Sequence, residues 1–214
     1  MDYYPVFLNL QGRRCVVVGG GAVAEGKVHG LLAAEGCVWV IAPALTPALE
    51  ALTRDLRISH VERAYAPGDL DGAFLAISAT DDHAVNEQVW QDASARNVLV
   101  NVVDDTPRCN FIAPSILRQG DLAIAISTSG KAPALAVRLK EKIAGMVGPH
   151  HARFLELAGS LRERLAQQTP SFAERRALWY QLVDSDVIEL LRQGDEAAAR
   201  EMMKKIMGVA PEEG

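Results

Sequence analysis

The feature that most constrains this chain is a glycine-rich turn between a short apolar run and an amphipathic segment. Residues 15–18 are Cys and Val, three glycines follow at 19–21, and residues 38–41 form a second apolar run. Between the two runs, apolar side chains recur at helical spacing, at Ala24, Val28, Leu31 and Leu32. This pattern predicts a buried strand, a helix and a second strand parallel to the first.

The same alternation of strands and helices continues to about residue 102. Thr46 is a predicted N-cap, with Pro47 at the first position of a short helix. The further predicted elements are an edge strand at 58–62, a buried strand at 74–77, a helix at 82–95 and a strand at 98–102. Alternation of this kind is typical of a doubly wound parallel α/β sheet of Rossmann type.

The pattern changes beyond residue 110. Two strand-like segments at 111–113 and 122–126, joined around residues 119–121, are followed by a predicted helix at 133–145. After residue 148 the apolar spacing is helical throughout. We therefore predict a Rossmann domain over residues 1–113, a small α+β region over 114–145 and a helical domain over 146–214.

The glycine turn matches the dinucleotide fingerprint G-x-G-x-x-[GA] in its expected position, after a strand and at the start of a helix. Gly19 allows the tight turn, Gly21 lets the backbone approach a pyrophosphate, and Ala24 lets the helix pack closely on the strand. The free N–H groups near Ala22 and Val23 are then available to an anion. The turn predicts a dinucleotide site.

The second strand ends in Ala42, Pro43 and Ala44, with neither an acidic residue for the ribose hydroxyls nor an arginine for a 2′-phosphate. These residues alone leave NAD and NADP as alternatives. We expect the adenosine to be held mainly by the backbone at Pro43 and Ala44.

Polar side chains follow the fifth predicted strand, at the edge where open α/β sheets bind ligands. Asn101 lies on this strand, and Asp104 and Asp105 come directly after it. Neighbouring residues of an extended chain point in opposite directions, so at most one of the two carboxylates is the chemical group. The alternative is that Asp104 and Asp105 only cap a turn and have no chemical role.

A hydroxyl-rich segment precedes the predicted helix at 133–145. Ser127, Thr128 and Lys131 fall in this segment, which fits either an anion site or simple helix capping.

Composition excludes several classes of protein. Lys and Arg number 22 against 27 Asp and Glu, and both signs are interspersed, so no nucleic-acid surface is expected. The longest apolar runs are far shorter than the roughly 20 residues of a membrane helix, and the N-terminus lacks a signal pattern. We expect a cytoplasmic protein that does not bind membranes.

Metal and disulfide frameworks are not expected either. The three cysteines are widely spaced without a CxxC pair, and Cys15 and Cys37 are predicted to be core residues. His150 and His151 lack a third ligand at suitable spacing, so no metal site is predicted.

In combination these segments are more specific than any one motif. They are residues 5–8, the glycine turn at 18–24, and the segments at 79–82, 101–104, 111–115 and 126–133. In this order they resemble the precorrin-2 dehydrogenase family of sirohaem synthesis, over residues 1–145 and more loosely beyond. Fused members carry an added methyltransferase domain, for which this sequence has no room, so it looks like the stand-alone form.

The resemblance implies a homodimer, formed through the segment 114–145, that oxidises precorrin-2 to sirohydrochlorin with NAD. By position, the NAD-binding segments fall on Ala22, Val23, Pro43 and Ala44, and the proposed catalytic aspartate falls on Asp104. The tetrapyrrole site falls near Ser127 and Thr128. Because precorrin-2 carries eight carboxylates, Lys131 and Arg108 are further candidates for its periphery, and Asn101 is a candidate substrate ligand.

Two positions depart from the family pattern, which commonly has Arg-Lys at Gly26-Lys27 and often has Gly at Ser129. Some family members also insert ferrous iron, so one alternative is a bifunctional dehydrogenase and ferrochelatase. A second alternative is a module that binds NAD as a sensor and catalyses no reaction.

Overall fold

The computed structural model describes residues 3–212 and divides the chain into two compact units between Ala113 and Pro114. The strands of the first unit are β1 (Arg14–Val18), β2 (Cys37–Ile41), β3 (Ser59–Val61), β4 (Leu75–Ser78) and β5 (Leu99–Val102). Its helices are α1 (Ala22–Leu32), α2 (Pro47–Arg54) and α3 (His83–Ala95), and a 3-10 turn covers Thr106–Arg108.

The five strands form one sheet in the order β3-β2-β1-β4-β5, and every neighbouring pair is parallel. This is the doubly wound α/β arrangement that the sequence predicts. The chain leaves β1 toward β2 on one side and returns to place β4 on the other. A crevice at the carboxyl ends of β1 and β4 is the usual ligand position of such a sheet.

Alternate residues of β1 enter two separate cores, one on each face of the sheet. Val17 packs with Val28 of α1 and Leu49 of α2, whereas Val16 packs with Val89 and Ala93 of α3. All six side chains are fully buried. The central strand is thus held from both faces, which fixes the positions of the loops that follow it.

The prediction that Cys15 and Cys37 are both core residues is confirmed for Cys15 and wrong for Cys37. Cys15 is fully buried, while Cys37 is exposed. Cys37 shares one face of β2 with Trp39, which is also exposed although it pairs with Ser59 of β3. Within residues 3–212, this face lacks packed cover at the start of the strand, whereas Val38 on the opposite face is buried in one core with Cys15.

Helix α2 ends in a left-handed turn at a residue that is not glycine. Leu56 has φ +56°, its N–H donates to Thr53 O at 3.1 Å, and the N–H of Arg57 donates to Leu52 O at 2.9 Å. These two bonds form a Schellman C-cap, a motif in which glycine or asparagine usually takes the left-handed position. The Leu56 side chain is 91% exposed, so its apolar surface contributes little burial.

The second unit contains a β-hairpin followed by helices. The hairpin strands are β6 (Ser115–Gln119) and β7 (Leu122–Ile126), which pair antiparallel. The helices are α4 (Pro133–Ala144), α5 (Pro149–Gln168), α6 (Phe172–Val183), α7 (Val187–Arg192) and α8 (Glu196–Met207). The predicted helical content beyond residue 148 is confirmed, whereas a division into regions 114–145 and 146–214 stays a prediction.

The first strand of the hairpin lies later than predicted. The segment 111–113 is not a strand, and β6 begins at Ser115. Phe111 is instead anchored in the first unit, where its carbonyl accepts a hydrogen bond from Asn101 Nδ2 at 3.1 Å. The apolar residues at 111–113 therefore predicted a strand in the wrong place. The hydrogen bond from Asn101, ten residues earlier in the chain, fixes the conformation of Phe111 instead.

An ion-pair cluster joins α5 to α8 in the second unit. Arg153 of α5 makes two hydrogen bonds to Glu196, at 2.7 and 3.0 Å, and Arg200 makes a third at 2.8 Å. The hydrogen bonds from Arg153, followed by those from Arg200, lower the pKa of Glu196 from its ordinary 4.5 to about 2. The charged form of Glu196 is therefore the one that the fold stabilises.

Within residues 3–212, no helix combines the length and the apolar character that crossing a membrane requires.

Replacing Leu56 with Asn is expected to leave the unfolding free energy unchanged or to raise it by up to ~1 kcal/mol, because Asn tolerates the left-handed conformation. Leu49→Ala, at a fully buried position of the same helix, should lower it by about 2–5 kcal/mol. Denaturant unfolding of both variants provides the measurement. A loss from Leu56→Asn comparable with that from Leu49→Ala would contradict this account of the turn.

Glu196→Gln is expected to destabilise the protein at pH 7 and to have progressively less effect in acid. Since the folded-state pKa is lowered, the contribution of Glu196 is complete above about pH 4.5 and is lost as the pH falls toward 2. Unfolding midpoints of wild type and variant, measured from pH 7 to pH 3, should converge. A difference that stays constant across this range would exclude the ionised carboxylate as its source.

Candidate functional site at the carboxyl edge of the sheet

The three glycines after β1 serve three different purposes. Gly19 has φ +122°, and a Cβ added there would lie 2.2 Å from Ala79 O. A Cβ on Gly20 would lie 1.9 Å from Ala44 O, whereas one on Gly21 would meet no atom within 4 Å. Gly19 and Gly20 thus permit backbones to approach one another, and Gly21 faces open space. The packing role of Gly20 leaves no signal in the fingerprint, which has an unrestricted residue at this position.

The start of α1 presents unoccupied backbone donors next to Gly21. Gly21 is the N-cap and offers no side chain to the helix, and the first helical bond runs from Glu25 N to Gly21 O. The N–H groups of Ala22 and Val23 precede that bond and have no intrahelical acceptor. Ala24 is fully buried against the sheet, as close packing requires. The geometry suits an anion such as a pyrophosphate.

The loop after β2 is braced against the glycine turn. Thr46 N donates to Gly20 O at 2.9 Å, and Thr46 Oγ1 donates to Glu25 Oε2 at 2.7 Å. Pro43 and Ala44 remain exposed beside a surface cleft of about 410 Å³. The prediction that Thr46 is an N-cap is confirmed, but its bond to Glu25 joins residues 21 positions apart and left no local signal.

A buried polar pair fixes the loop after β4. Ser78 Oγ donates to Asn86 Oδ1 at 2.6 Å, and Asn86 Nδ2 donates to Thr80 O at 3.0 Å. Asp82 caps α3 by accepting from Ala84 N and Val85 N. The sequence analysis missed the pair, although Asn86 lies on the same helical face as Val89 and so offered a signal.

The turn after β5 separates the two neighbouring aspartates. Asp104 is exposed and has φ +59°, a left-handed conformation that aspartate tolerates better than most residues. Asp105 is half-buried, and its carboxylate accepts a hydrogen bond from Arg108 at 2.6 Å. Asp105 is therefore engaged within the fold, and of these two neighbours Asp104 is the one whose carboxylate remains exposed at the sheet edge.

Arg108 is part of the same network and holds the turn to α3. Its guanidinium also donates to Glu87 Oε2 at 2.6 Å. Hydrogen bonds donated by Gln91 and Arg108 lower the pKa of Glu87, and the hydrogen bonds that Arg108 donates to Asp105 and Glu87 raise the pKa of Arg108. With both carboxylates as partners, Arg108 connects the β5 turn to the neighbouring helix.

Asn101 is buried and bonded within the first unit. Its Nδ2 donates to Phe111 O, and it lies 3.4 Å from Cys109 Sγ. The Cys109 thiol lies 3.2 Å from both Val102 O and Asp105 O, and burial raises the pKa of this thiol. These contacts fasten the chain after β5, so a direct contact of Asn101 with a substrate stays a prediction.

The hydroxyl-rich segment lies in the second unit, between β7 and α4. Ser127 Oγ accepts from Ser129 N at 3.0 Å, and Thr128 Oγ1 accepts from Ala132 N at 3.2 Å. Ser129 has φ +52°, which explains why glycine suits this position, and Lys131 is exposed. Both hydroxyls use a lone pair in these bonds and keep an O–H group to donate.

Within residues 3–212, no group of three or more His, Cys, Asp or Glu side chains is arranged to hold a metal ion.

The parallel sheet, its strand order and the glycine turn define a nucleotide-binding protein of the Rossmann class. The chain belongs to the family described as putative NAD(P)-binding, whose model matches residues 6–115. The models for the sirohaem biosynthesis protein central region and the sirohaem synthase dimerisation region match residues 119–146 and 150–207. The resemblance to the sirohaem-synthesis family is thus confirmed.

Curated relatives agree with these matches. The chain is 46% identical over 201 residues to a sirohaem synthase of Photobacterium profundum, covering 94% of this chain and 43% of the relative. It is 40% identical over 205 residues to sirohaem synthase 1 of Serratia proteamaculans, covering 96% and 43%. The chain therefore spans less than half the length of these relatives.

A solved structure named "SirC, precorrin-2 dehydrogenase" has the same fold. It superposes with a TM-score of 0.77 at 24% identity, over 95% of this chain and 100% of that one. This likeness supports the predicted order of an α/β domain followed by a hairpin and helices.

Gly21→Asp is expected to abolish dinucleotide binding while leaving the fold intact. The added Cβ meets no protein atom within 4 Å, and the side chain brings a carboxylate to the anion position, where it can cap α1. Gly20→Ala should instead lower the melting temperature, because its Cβ would collide with Ala44 O. Calorimetric titration with NAD and thermal unfolding separate the two effects. Unchanged NAD affinity in Gly21→Asp would reject the pyrophosphate assignment.

Proposed function

We propose that this chain oxidises precorrin-2 to sirohydrochlorin, a step of sirohaem biosynthesis, with NAD as hydride acceptor. The observation that carries the proposal is the order of matches along one chain. A putative NAD(P)-binding segment, a sirohaem central segment and a sirohaem synthase dimerisation segment follow one another. The exposed Asp104 at the ligand edge of the sheet adds a group that can take part in the reaction.

The residues present fit a bound dinucleotide. The N–H groups of Ala22 and Val23 beside Gly21 would hold the pyrophosphate, and the exposed backbone at Pro43 and Ala44 would hold the adenosine. NAD, when bound, supplies the electrophilic carbon that accepts a hydride.

Oxidation of precorrin-2 removes a hydride and a proton, so a base must accompany the hydride acceptor. We assign this role to Asp104, which the β5 turn exposes while Arg108 engages its neighbour Asp105. The two ion pairs of Arg108 hold the turn, and so fix the backbone from which Asp104 projects. The same carboxylate can accept pyrrole N–H protons if metal insertion follows.

The substrate's carboxylates require local donors on a protein with a formal charge of −5. The O–H groups of Ser127 and Thr128 and the ammonium of Lys131 are such donors. Arg108 is less available, because both Glu87 and Asp105 already engage it. We therefore propose Ser127, Thr128 and Lys131 as the tetrapyrrole contacts of the second unit.

We also propose that the chain forms a homodimer through its second unit. The dimerisation model matches residues 150–207, C-terminal to the segment 114–145 in which the sequence analysis placed the contact. Exposed apolar side chains occur in both segments. They are Ile116, Leu135, Val137 and Leu139 in the first and Phe172, Tyr180 and Val183 in the second.

Anaerobic incubation with NAD and enzymatically prepared precorrin-2 tests the function. We expect NADH and the sirohydrochlorin spectrum to appear together. Ferrous iron added to the same mixture distinguishes the bifunctional alternative, in which sirohaem would form faster than in a control without protein. Binding of NAD without any NADH formation would refute the proposed dehydrogenase activity and favour the alternative of a module that binds NAD as a sensor.

Asp104→Asn is expected to reduce turnover by about 10²- to 10⁴-fold while NAD affinity stays within about twofold, as for loss of a positioned base. Asn tolerates the left-handed backbone at this position, so the fold should persist. Asp104→Gly, which keeps the left-handed backbone but has no side chain, should show a similar loss of turnover. Asp121→Asn, in the exposed turn of the hairpin, is the control. Wild-type turnover in Asp104→Asn would exclude Asp104 as the base.

A further inference from the structure

The starts of α1 and α2 differ sharply in their capacity to bind an anion. Gly21 leaves the first N–H groups of α1 without a side-chain acceptor. In α2 the first residue, Pro47, has no N–H, and Leu49 N donates to Thr46 Oγ1 at 3.3 Å. Glu50 N donates to Thr46 O at 2.9 Å, so Ala48 has the one N–H left in the first turn. The edge beyond β2 is a poor phosphate site.

Carboxylates line the cleft at this edge. The cleft of about 410 Å³ lies between the loop at Pro43 and Ala44, helix α2 and the end of β3, and Glu50 and Glu62 both line it. Glu50 lies in the first turn of α2, where a negative side chain already interacts with the positive end of the helix. Glu62 follows β3 directly and is exposed.

Arg54 and His60 also line the cleft, but neither is placed to bind a phosphate beside the loop. Arg54 is one helical turn beyond Glu50, at the opposite end of α2 from the loop. His60 Nε2 lies 2.9 Å from Ala42 O and holds the loop rather than facing a ligand. The loop from Ala42 to Thr46 contains no charged residue. The lining of the cleft therefore carries two carboxylates against one guanidinium.

We infer that Glu50 and Glu62 make this protein select NAD against NADP. The inference rests on the proposed function, in which the backbone at Pro43 and Ala44 holds the adenosine. The 2′-phosphate of NADP would enter a cleft with two carboxylates and a capped helix start, where like charges repel it. The ribose hydroxyls of NAD carry no charge and meet no such repulsion. Selectivity thus comes from repulsion, without the acidic residue that often ends β2.

The test is calorimetric titration of the full chain with NAD and with NADP at low salt. Wild type should bind NAD at least roughly tenfold more tightly than NADP. The double variant Glu50→Gln, Glu62→Gln should reduce the ratio of NAD affinity to NADP affinity at least fivefold, chiefly through tighter NADP binding. Added salt should reduce the same ratio in wild type. Each single variant should give an intermediate ratio.

Glu163→Gln, Glu174→Gln is the matched control, since both residues are exposed in the second unit and the net charge changes equally. It should leave the ratio unchanged. Equal affinities in wild type, or an unaltered ratio in the double variant, would overturn this inference while leaving the proposed function intact. Absence of binding to either nucleotide would overturn the proposed function and this inference together.

Discussion

The close approach of backbones at Gly19 and Gly20 is the contact on which the site depends. Any side chain at these positions would collide with Ala79 O or Ala44 O, so the loops after β1, β2 and β4 could not meet. The bond from Thr46 N to Gly20 O then holds two of these loops together. Because β1 is the central strand and is buried from both faces, this meeting point is fixed to the packed middle of the sheet.

Around this point, hydrogen bonding divides the edge into groups that are engaged and groups that are free. Thr46 caps α2 and binds Glu25, Asn86 holds the β4 loop, and Arg108 engages Asp105. The start of α1 and the carboxylate of Asp104 remain accessible. A dinucleotide needs backbone donors and a hydride transfer needs a nearby base, and these are the two kinds of group that the packing leaves exposed.

Much of the fold was predictable because strands and helices leave periodic signals. The apolar runs at β1, β2, β4 and β5, and the spacing in α1, locate these elements directly. The errors occur where a distant contact decides. Phe111 is held by Asn101 rather than extended into a strand, and Cys37 lies on a face of β2 that no other element of residues 3–212 covers at the start of the strand. Neither outcome is encoded in the residues next to it.

The sequence by itself determined the class of site, since a glycine turn between a buried strand and a helix has few uses other than holding a phosphate. It also placed polar residues at the end of β5, but it left Asp104 and Asp105 as alternatives. Only the tertiary structure separated them, because Arg108, which engages Asp105, is itself held by Glu87 of α3, 21 residues earlier in the chain. Periodicity reports local conformation, whereas the accessibility of a charge depends on which distant groups pack against it.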